Sequence, residues 1–264
     1  MLCVDKMPSQ KIGPKKSRIP APEDEAAFLA SYDASAYPHP SVTVDVVLFS
    51  VSEGALHTLV LRRAEHPFKG SWALPGGFVG IDESLEAAAV RVLREKCAVT
   101  DVYLEQLCTF GRPDRDPRTR VISVAYYALV DMERFRAHQR TEELRVGRVV
   151  VSWEGETGGP AALVDEHDRR IPLAFDHEEI LGAAVKRIRG KLNYAPIGFQ
   201  LLPERFTLLE LQQVHETVLG RSLNKDSFRR RMLASGELRA TGQMQSGVEH
   251  RPAELYRFVS TSAV

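Results

Sequence analysis

The sequence predicts an α+β protein in which helices pack around a mixed β-sheet, followed by a small domain of two helices and a β-hairpin. Three observations predict it. Alternating, β-branched runs begin at residue 41 with SVTVDVVLFSV, and amphipathic helical spacings interrupt the strand-like runs at residues 84–96 and 176–189. After KLNYAPIGFQLLP the composition shifts, and the order becomes helix, short turn, helix, hairpin.

At 264 residues the chain exceeds one ordinary domain, so two are expected, one larger than the other. The chain is 44% hydrophobic and 27% charged, enough to bury a core, and no apolar run approaches the ~20 residues that cross a bilayer. An integral membrane protein built of helices is excluded. Cys3, Cys97 and Cys108 form neither a CxxC motif nor an even disulfide set, and the N-terminus has no apolar secretory segment. A reducing cytoplasm is the expected location. The formal net charge is zero, so any nucleic-acid binding must rest on local basicity.

Taken in order, residues 1–22 are polar and Pro-rich, with Lys6, Lys11, Lys15, Lys16 and Arg18, and read as a disordered basic arm. EDEAAFLASYDA, residues 23–34, reads as one short helix with acids in its first turn. SVTVDVVLFSV and LHTLVLRRA are two strands paired across a Ser-Glu-Gly turn. EHPFKGSWALPGGFVGIDE is a loop, Ser84 to Lys96 a helix, and VYLEQLCTF and VISVAYYALV two more strands. Residues 145–175 are β-rich around a Gly-Gly-Pro turn, and Asp176 to Arg189 is a helix. The expected organisation is a first folded domain at 23–195, a linker at 196–202 and a second domain at 203–264. In that second domain, Leu208, Leu211, Val214 and Val218 recur at helical spacing behind Thr207 as N-cap, and Gly220 stops the helix. NKDSFRRRML is a second helix, with Phe228, Met232 and Leu233 expected on its buried face. ELRAT and AELYRFV form a hairpin, which completes the order of a winged helix-turn-helix.

The stretch GGFVGIDESLEAAAVRVLREKCAV, residues 76–99, carries Gly77, Glu83 and Arg91 at the spacing of a Nudix box, and the chain resembles Nudix pyrophosphatases from about residue 40 to 190. That family's box continues with three clustered glutamates, at the positions of Val92, Glu95 and Lys96. Spaced i, i+3 and i+4, they share one helix face and gather divalent cations over a pyrophosphate. Here Val92 offers no ligand and Lys96 offers a cation. At an effective dielectric near 20, an ammonium about 6 Å from a divalent ion is repelled by roughly 5 kcal/mol. Little or no metal-dependent hydrolysis is expected, with Glu83 and Glu95 as remnant carboxylates and no metal or cofactor required.

HPFKGSWALPGGFV and FGRPDRDPRTRVISVAYYALV resemble the segments of Nudix ADP-ribose pyrophosphatases and of the regulators related to them. The resemblance implies a retained pocket for ADP-ribose or a close relative. Arg62, Arg63, Trp72, Gly76, Gly77, Phe78, Arg115, Asp116 and Arg118 are its candidate contacts, the arginines and backbone amides suiting a pyrophosphate.

FTLLELQQVHE, NKDSFRRRML and HRPAELYRF resemble the winged helix of the Nudix-related transcriptional regulators, the NrtR group. A recognition helix reads DNA from its N-terminal part, so Asn224, Lys225 and Ser227 are candidates for base or phosphate contacts, with Arg229, Arg230 and Arg231 reaching the backbone or guanines. In the hairpin, Gln245, His250 and Arg251 are candidates for the neighbouring groove or phosphates. The resemblance implies a dimeric repressor of NAD synthesis or salvage genes, bound to double-stranded operator DNA and released by ADP-ribose. Three alternatives stay open: a sugar-responsive regulator, an active hydrolase using Glu83, Glu86 and Glu95, and a ligand-free interaction domain.

Overall fold

The computed structural model describes residues 24–137, 143–192, 194–247 and 251–259, so the arm expected at 1–22 lies outside the described residues. The chain divides into two units, one ending at His39 and the other beginning at Pro40. In the first, helix α1 spans Glu25–Ser31, started by Asp24, whose carboxylate accepts the Ala27 N–H at 2.7 Å. The segment expected as one helix ends sooner. Asp33 accepts the Ser35 N–H and caps a separate 3-10 turn, Ala34–Ala36, so the last acid of the segment starts a new element.

The second unit is built on strand β1, Ser41–Ser52. β2 (Ala55–Arg62) returns beside it through a tight turn in which Glu53 and Gly54 both take positive φ, 52° and 70°. The elements that follow are β3 (Trp72–Ala73), β4 (Gly76–Phe78), α2 (Leu85–Cys97), β5 (Tyr103–Phe110), β6 (Val121–Leu129), α3 (Met132–Ala137), β7 (Leu144–Val151), β8 (Ala161–Val164), β9 (Arg170–Ile171) and α4 (His177–Lys191). The strand order is β5-β6-β1-β2-β7-β8-β9, with β3 on β2 and β4 on β1. Only the β1–β6 pair is parallel among the described strands, which makes the sheet mixed. The stretch 65–83 was expected as loop throughout, but β3 and β4 form inside it, too short to show any period.

Alternation along β1 decides what each face buries. Val44, Val46 and Leu48 pack with Ala88, Ala89, Val92 and Leu93 of α2 in one core. Val47 and Phe49 pack with Ile180, Leu181, Ala184 and Ile188 of α4 in the other. Asp45 shares the α4 face but lies near its end, beside the start of that helix.

After α4, Pro196–Leu201 was expected within a linker, and it folds instead as a buried 3-10 helix. Ile197 and Leu201 join the α4-side core, whereas Phe199 joins the core of the last elements. The apolar residues of PIGFQL account for the difference, since each finds a core to enter. Helix α5 (Leu208–Leu219) opens with a capping box in which Thr207 and Glu210 satisfy each other's backbone N–H, and it closes at Gly220, φ 68°. Helix α6 (Lys225–Ala234) follows, then the hairpin β10 (Leu238–Met244) and β11 (Glu254–Phe258), to which Phe206 adds a bridge at Tyr256. Phe206, Leu211, Phe228, Met232 and Tyr256 fill this core. Leu233 does not join it: it is 45% exposed, because it lies about 100° around the helix from Met232.

Candidate functional site

One cavity of about 520 Å³ opens where β1, β2, β4 and α2 meet the loop before β6 and the start of α4. Arg62, Arg63, Gly76, Gly77, Phe78, Arg115, Asp116 and Arg118 all line it, with Asp45, Glu95, Lys96, Phe175 and His177. Trp72 does not. It packs against the α4-side core with the Arg145 guanidinium 5.7 Å above its ring.

The arginines differ in how their charge is held. Arg115 is buried and donates to both carboxylate oxygens of Asp176, at 2.9 and 2.7 Å, and to Asp45 at 3.4 Å. It is an internal counter-ion rather than a free contact. Arg118 is bidentate on Asp116 and lies over the Phe78 ring. Arg62 and Arg63 meet only carbonyls among the described residues: Gly70 for Arg62, and Pro67 and Glu65 for Arg63, which also lies 4.8 Å above the Phe175 ring. Burial lowers the pKa of Arg63, and the charge of Arg118 adds to the effect.

The cavity floor is a buried polar cluster. Ser123 donates to Asp45, and the Leu74 N–H donates to His177 Nδ1 at 2.9 Å. That bond leaves the ring proton on Nε2, which faces Asp45 Oδ1 at 3.7 Å. Burial holds the His177 pKa below its ordinary value, so the ring is neutral near pH 7. Gly76 closes over the cluster. A Cβ there would sit 2.2 Å from Asp45 Oδ1 and 2.9 Å from the Val44 carbonyl, so no other residue fits.

On α2 the box residues hold the loop. Arg91 donates twice to Glu83 and once to the Phe78 carbonyl, while the Gly80 N–H donates to Glu83 at 2.7 Å. The Arg91 hydrogen bonds, then the Gly80 amide, bring the Glu83 pKa down to about 2. Val92 is fully buried, and Lys96 donates from Nζ to the Gly76 carbonyl. Burial lowers the Lys96 pKa, opposed by Asp45 and reinforced by Arg63 and Arg91. Magnesium takes near-octahedral oxygen ligation, and this donor set does not match it. Among the described residues no group of three or more His, Cys, Asp or Glu is placed to hold a metal ion.

The second candidate surface is α6 and the hairpin. Asn224 caps α6 by accepting the Ser227 N–H at 2.9 Å, and Lys225, Ser227, Arg229 and Arg230 are exposed around its first turns. Arg231 is exposed too, though its guanidinium lies 5.5 Å from the Phe228 ring. In the hairpin Arg251 is exposed and Gln245 half-buried, its N–H bonded to the Ala253 carbonyl, whereas His250 lies outside the described residues.

Comparison with known proteins finds a match for each of the two parts of the chain. Residues 198–258 match the NrtR DNA-binding winged helix domain and residues 39–168 the NUDIX domain. Over 236 residues the chain is 41% identical to the ADPR responsive transcriptional repressor NtrR of Acinetobacter baylyi, spanning 89% of this chain and 88% of that one. The chain belongs to the NrtR family. The crystal structure of Shewanella oneidensis NrtR complexed with a 27mer DNA is similar at 36% identity and a TM-score of 0.69, over 83% of this chain and 93% of that one. An ADP-ribose pyrophosphatase of Methanocaldococcus jannaschii is 34% identical over 147 residues, 55% of this chain and 73% of that one. No helix among the described residues of this NrtR-family chain is long and apolar enough to cross a membrane.

Sequence reasoning missed three residues of the cavity cluster: Asp45, Asp176 and His177. The one signal was Asp45 itself, a carboxylate on the inward side of an alternating strand.

Proposed function

We propose that the chain is a cytoplasmic transcriptional repressor whose Nudix domain binds ADP-ribose without hydrolysing it, and whose winged helix binds operator DNA. The carrying observation is the arrangement on α2: a cavity of about 520 Å³, in the range of small-molecule sites, lies beside the helix, while the metal face of the helix presents Val92, inward, and Lys96. A helix with those side chains supports ligand recognition and withholds the clustered carboxylates that metal-assisted hydrolysis needs. The relatives support the two binding functions, one by its name as an ADPR responsive repressor and one by its complex with DNA.

In this reading Arg62, Arg63, Gly76, Gly77 and Phe78 contact the effector, and Asp116 holds Arg118 toward it. Trp72 and Arg115 support the walls. Lys225, Ser227, Arg229 and Arg230 of α6 reach base edges or phosphates, with Asn224 as the cap that aims them, and Gln245, His250 and Arg251 belong to the wing. A symmetric dimer sets two such helices one DNA turn, about 34 Å, apart on a palindrome. The family resemblance extends the reading to genes of NAD synthesis or salvage.

The test is a mobility-shift titration on DNA upstream of the chain's own gene and of neighbouring NAD genes, with and without ADP-ribose, in Mg²⁺ and in chelator. A specific shift reversed by ADP-ribose in chelator is expected. No specific shift, together with Mg²⁺-dependent cleavage of ADP-ribose to AMP, would make the chain a working pyrophosphatase.

A further inference from the structure

The charge on the cavity wall is unevenly compensated. Arg115 and Arg118 are matched by Asp176, Asp45 and Asp116. Lys96, Arg63 and Arg62 have no carboxylate within 4.0 Å among the described residues, and each is held only by backbone carbonyls or an aromatic face. Glu95 lines the same cavity but turns its carboxylate to Arg91 and Arg94, at 3.7 and 3.6 Å. Lys96 is the one of these three cations carried by α2; its side chain lines the cavity and its ammonium is held at the Gly76 carbonyl, where the backbone passes directly over Asp45.

We propose that the Lys96 ammonium, with the Arg63 guanidinium on the wall of the same cavity, is a built-in cation for the pyrophosphate of the effector, standing in for the divalent ion that the same helix face holds in a metal-dependent hydrolase. This rests on the ADP-ribose reading and adds to it a named phosphate anchor on α2. Two like charges in one partly enclosed cavity repel each other until a polyanion lies between them, so a diphosphate gains from both at once. A lysine serves as a point charge that needs no coordination geometry, which a bound metal would. The Gly76 carbonyl satisfies one of its three N–H donors and leaves two for phosphate oxygens. Effector binding is then insensitive to chelator, and the cation cannot be lost to dilution.

The experiment is calorimetric titration of the full chain with ADP-ribose in EDTA and in Mg²⁺, for the native protein, Lys96→Met and Lys96→Arg. The native affinity is expected to be equal in the two buffers within about twofold. Lys96→Met is expected to bind at least about tenfold more weakly in both, with Lys96→Arg recovering most of the loss. Melting of the ligand-free variants separates this from a structural latch: a Lys96→Met protein that melts as the native one does and still binds within about twofold overturns the proposal. A native protein that binds ADP-ribose only in Mg²⁺ also overturns it, while leaving the effector reading intact. If the native protein binds no ADP-ribose in either buffer, the effector reading fails instead. Titration with inorganic pyrophosphate then tests Lys96 alone, supporting it if Lys96→Met abolishes binding and overturning it if the native protein does not bind.

Discussion

Ala98 closes α2 in the left-handed region, at φ 52° and ψ 26°, with its N–H reaching the Leu93 carbonyl. A Cβ in that conformation crowds the following carbonyl, at a cost of about 1–2 kcal/mol, while glycine loses part of that gain through a freer unfolded chain. Ala98→Gly is therefore expected to stabilise the protein by about 0.5–1 kcal/mol, read as a higher urea midpoint at an unchanged slope. A midpoint that stays or falls would show that the turn carries no such strain. His215 is the opposite case, a residue that limits stability on the acid side. It is buried edge-to-face against Phe228, at 5.1 Å, and burial, aided by Arg231, pushes its pKa down to about 4. Below pH ~6.5 the unfolded chain takes up a proton that the folded chain refuses. This contribution is thus fully retained above pH ~6.5 and falls away as pH drops toward 4, by on the order of 3 kcal/mol. In His215→Gln the urea midpoint should change less between pH 7 and pH 4.5 than in the native protein; an equally steep fall would move the acid sensitivity elsewhere, with neutral, buried His177 the next group to examine.

Elements with enough turns or enough alternation declare themselves. β1 shows its period over twelve residues, and α5 carries its cap, its apolar spacing and its stop within FTLLELQQVHETVLG. β3, with two residues, and α3, with six, are too short for any period to emerge, and tertiary neighbours decide them. The site divides in the same way. The cavity arginines and glycines lie in two motifs and can be found by reading them, whereas His177 meets Leu74 across 103 positions, a pairing that only the packing of α4 on β1 creates. Trp72 illustrates the converse, an aromatic inside a binding motif whose ring is taken up by Arg145 and the core. For α6, exposure separates roles that sequence lumps together. Arg230 and Lys225 are exposed, while Arg231 lies against Phe228. If α6 is the recognition helix, Lys225→Ala should weaken operator binding evenly across sequences and reduce the salt slope by about one unit, and Arg230→Ala should cost about 1–3 kcal/mol if it reads a base. Unchanged operator affinity in both, at fixed salt, would displace α6 from the groove.

Across the whole second unit, α4 is the element that both functions share. Its N-terminal end supplies His177 to the cavity and Asp176 to the buried Arg115 that lines it. About 18 Å along, at 1.5 Å per residue, its last turns present Arg189 to α5. Arg189 is buried with no carboxylate within 4.0 Å among the described residues: it donates to the Val218 carbonyl at 2.9 Å and to Gly155 at 3.1 Å, and lies 4.9 Å above the Trp153 ring. The Val218 carbonyl belongs to the last turn of α5, where a cation is favoured by the helix dipole as well as by the hydrogen bond. Pro196–Leu201 reinforces the joint by placing side chains in both cores. An effector can change DNA affinity only through its differential affinity for two arrangements of the protein, so the contact that ties α4 to α5 should set the size of the response. Arg189→Met removes the hydrogen bonds and keeps much of the volume. It is expected to lower stability by about 1–3 kcal/mol, to leave ADP-ribose affinity within about twofold, and to shrink the ratio of operator affinities measured without and with ADP-ribose. Anisotropy of labelled operator DNA gives that ratio directly. A variant that binds ADP-ribose normally and releases DNA with the native ratio would mean that the signal leaves the cavity by a route other than α4.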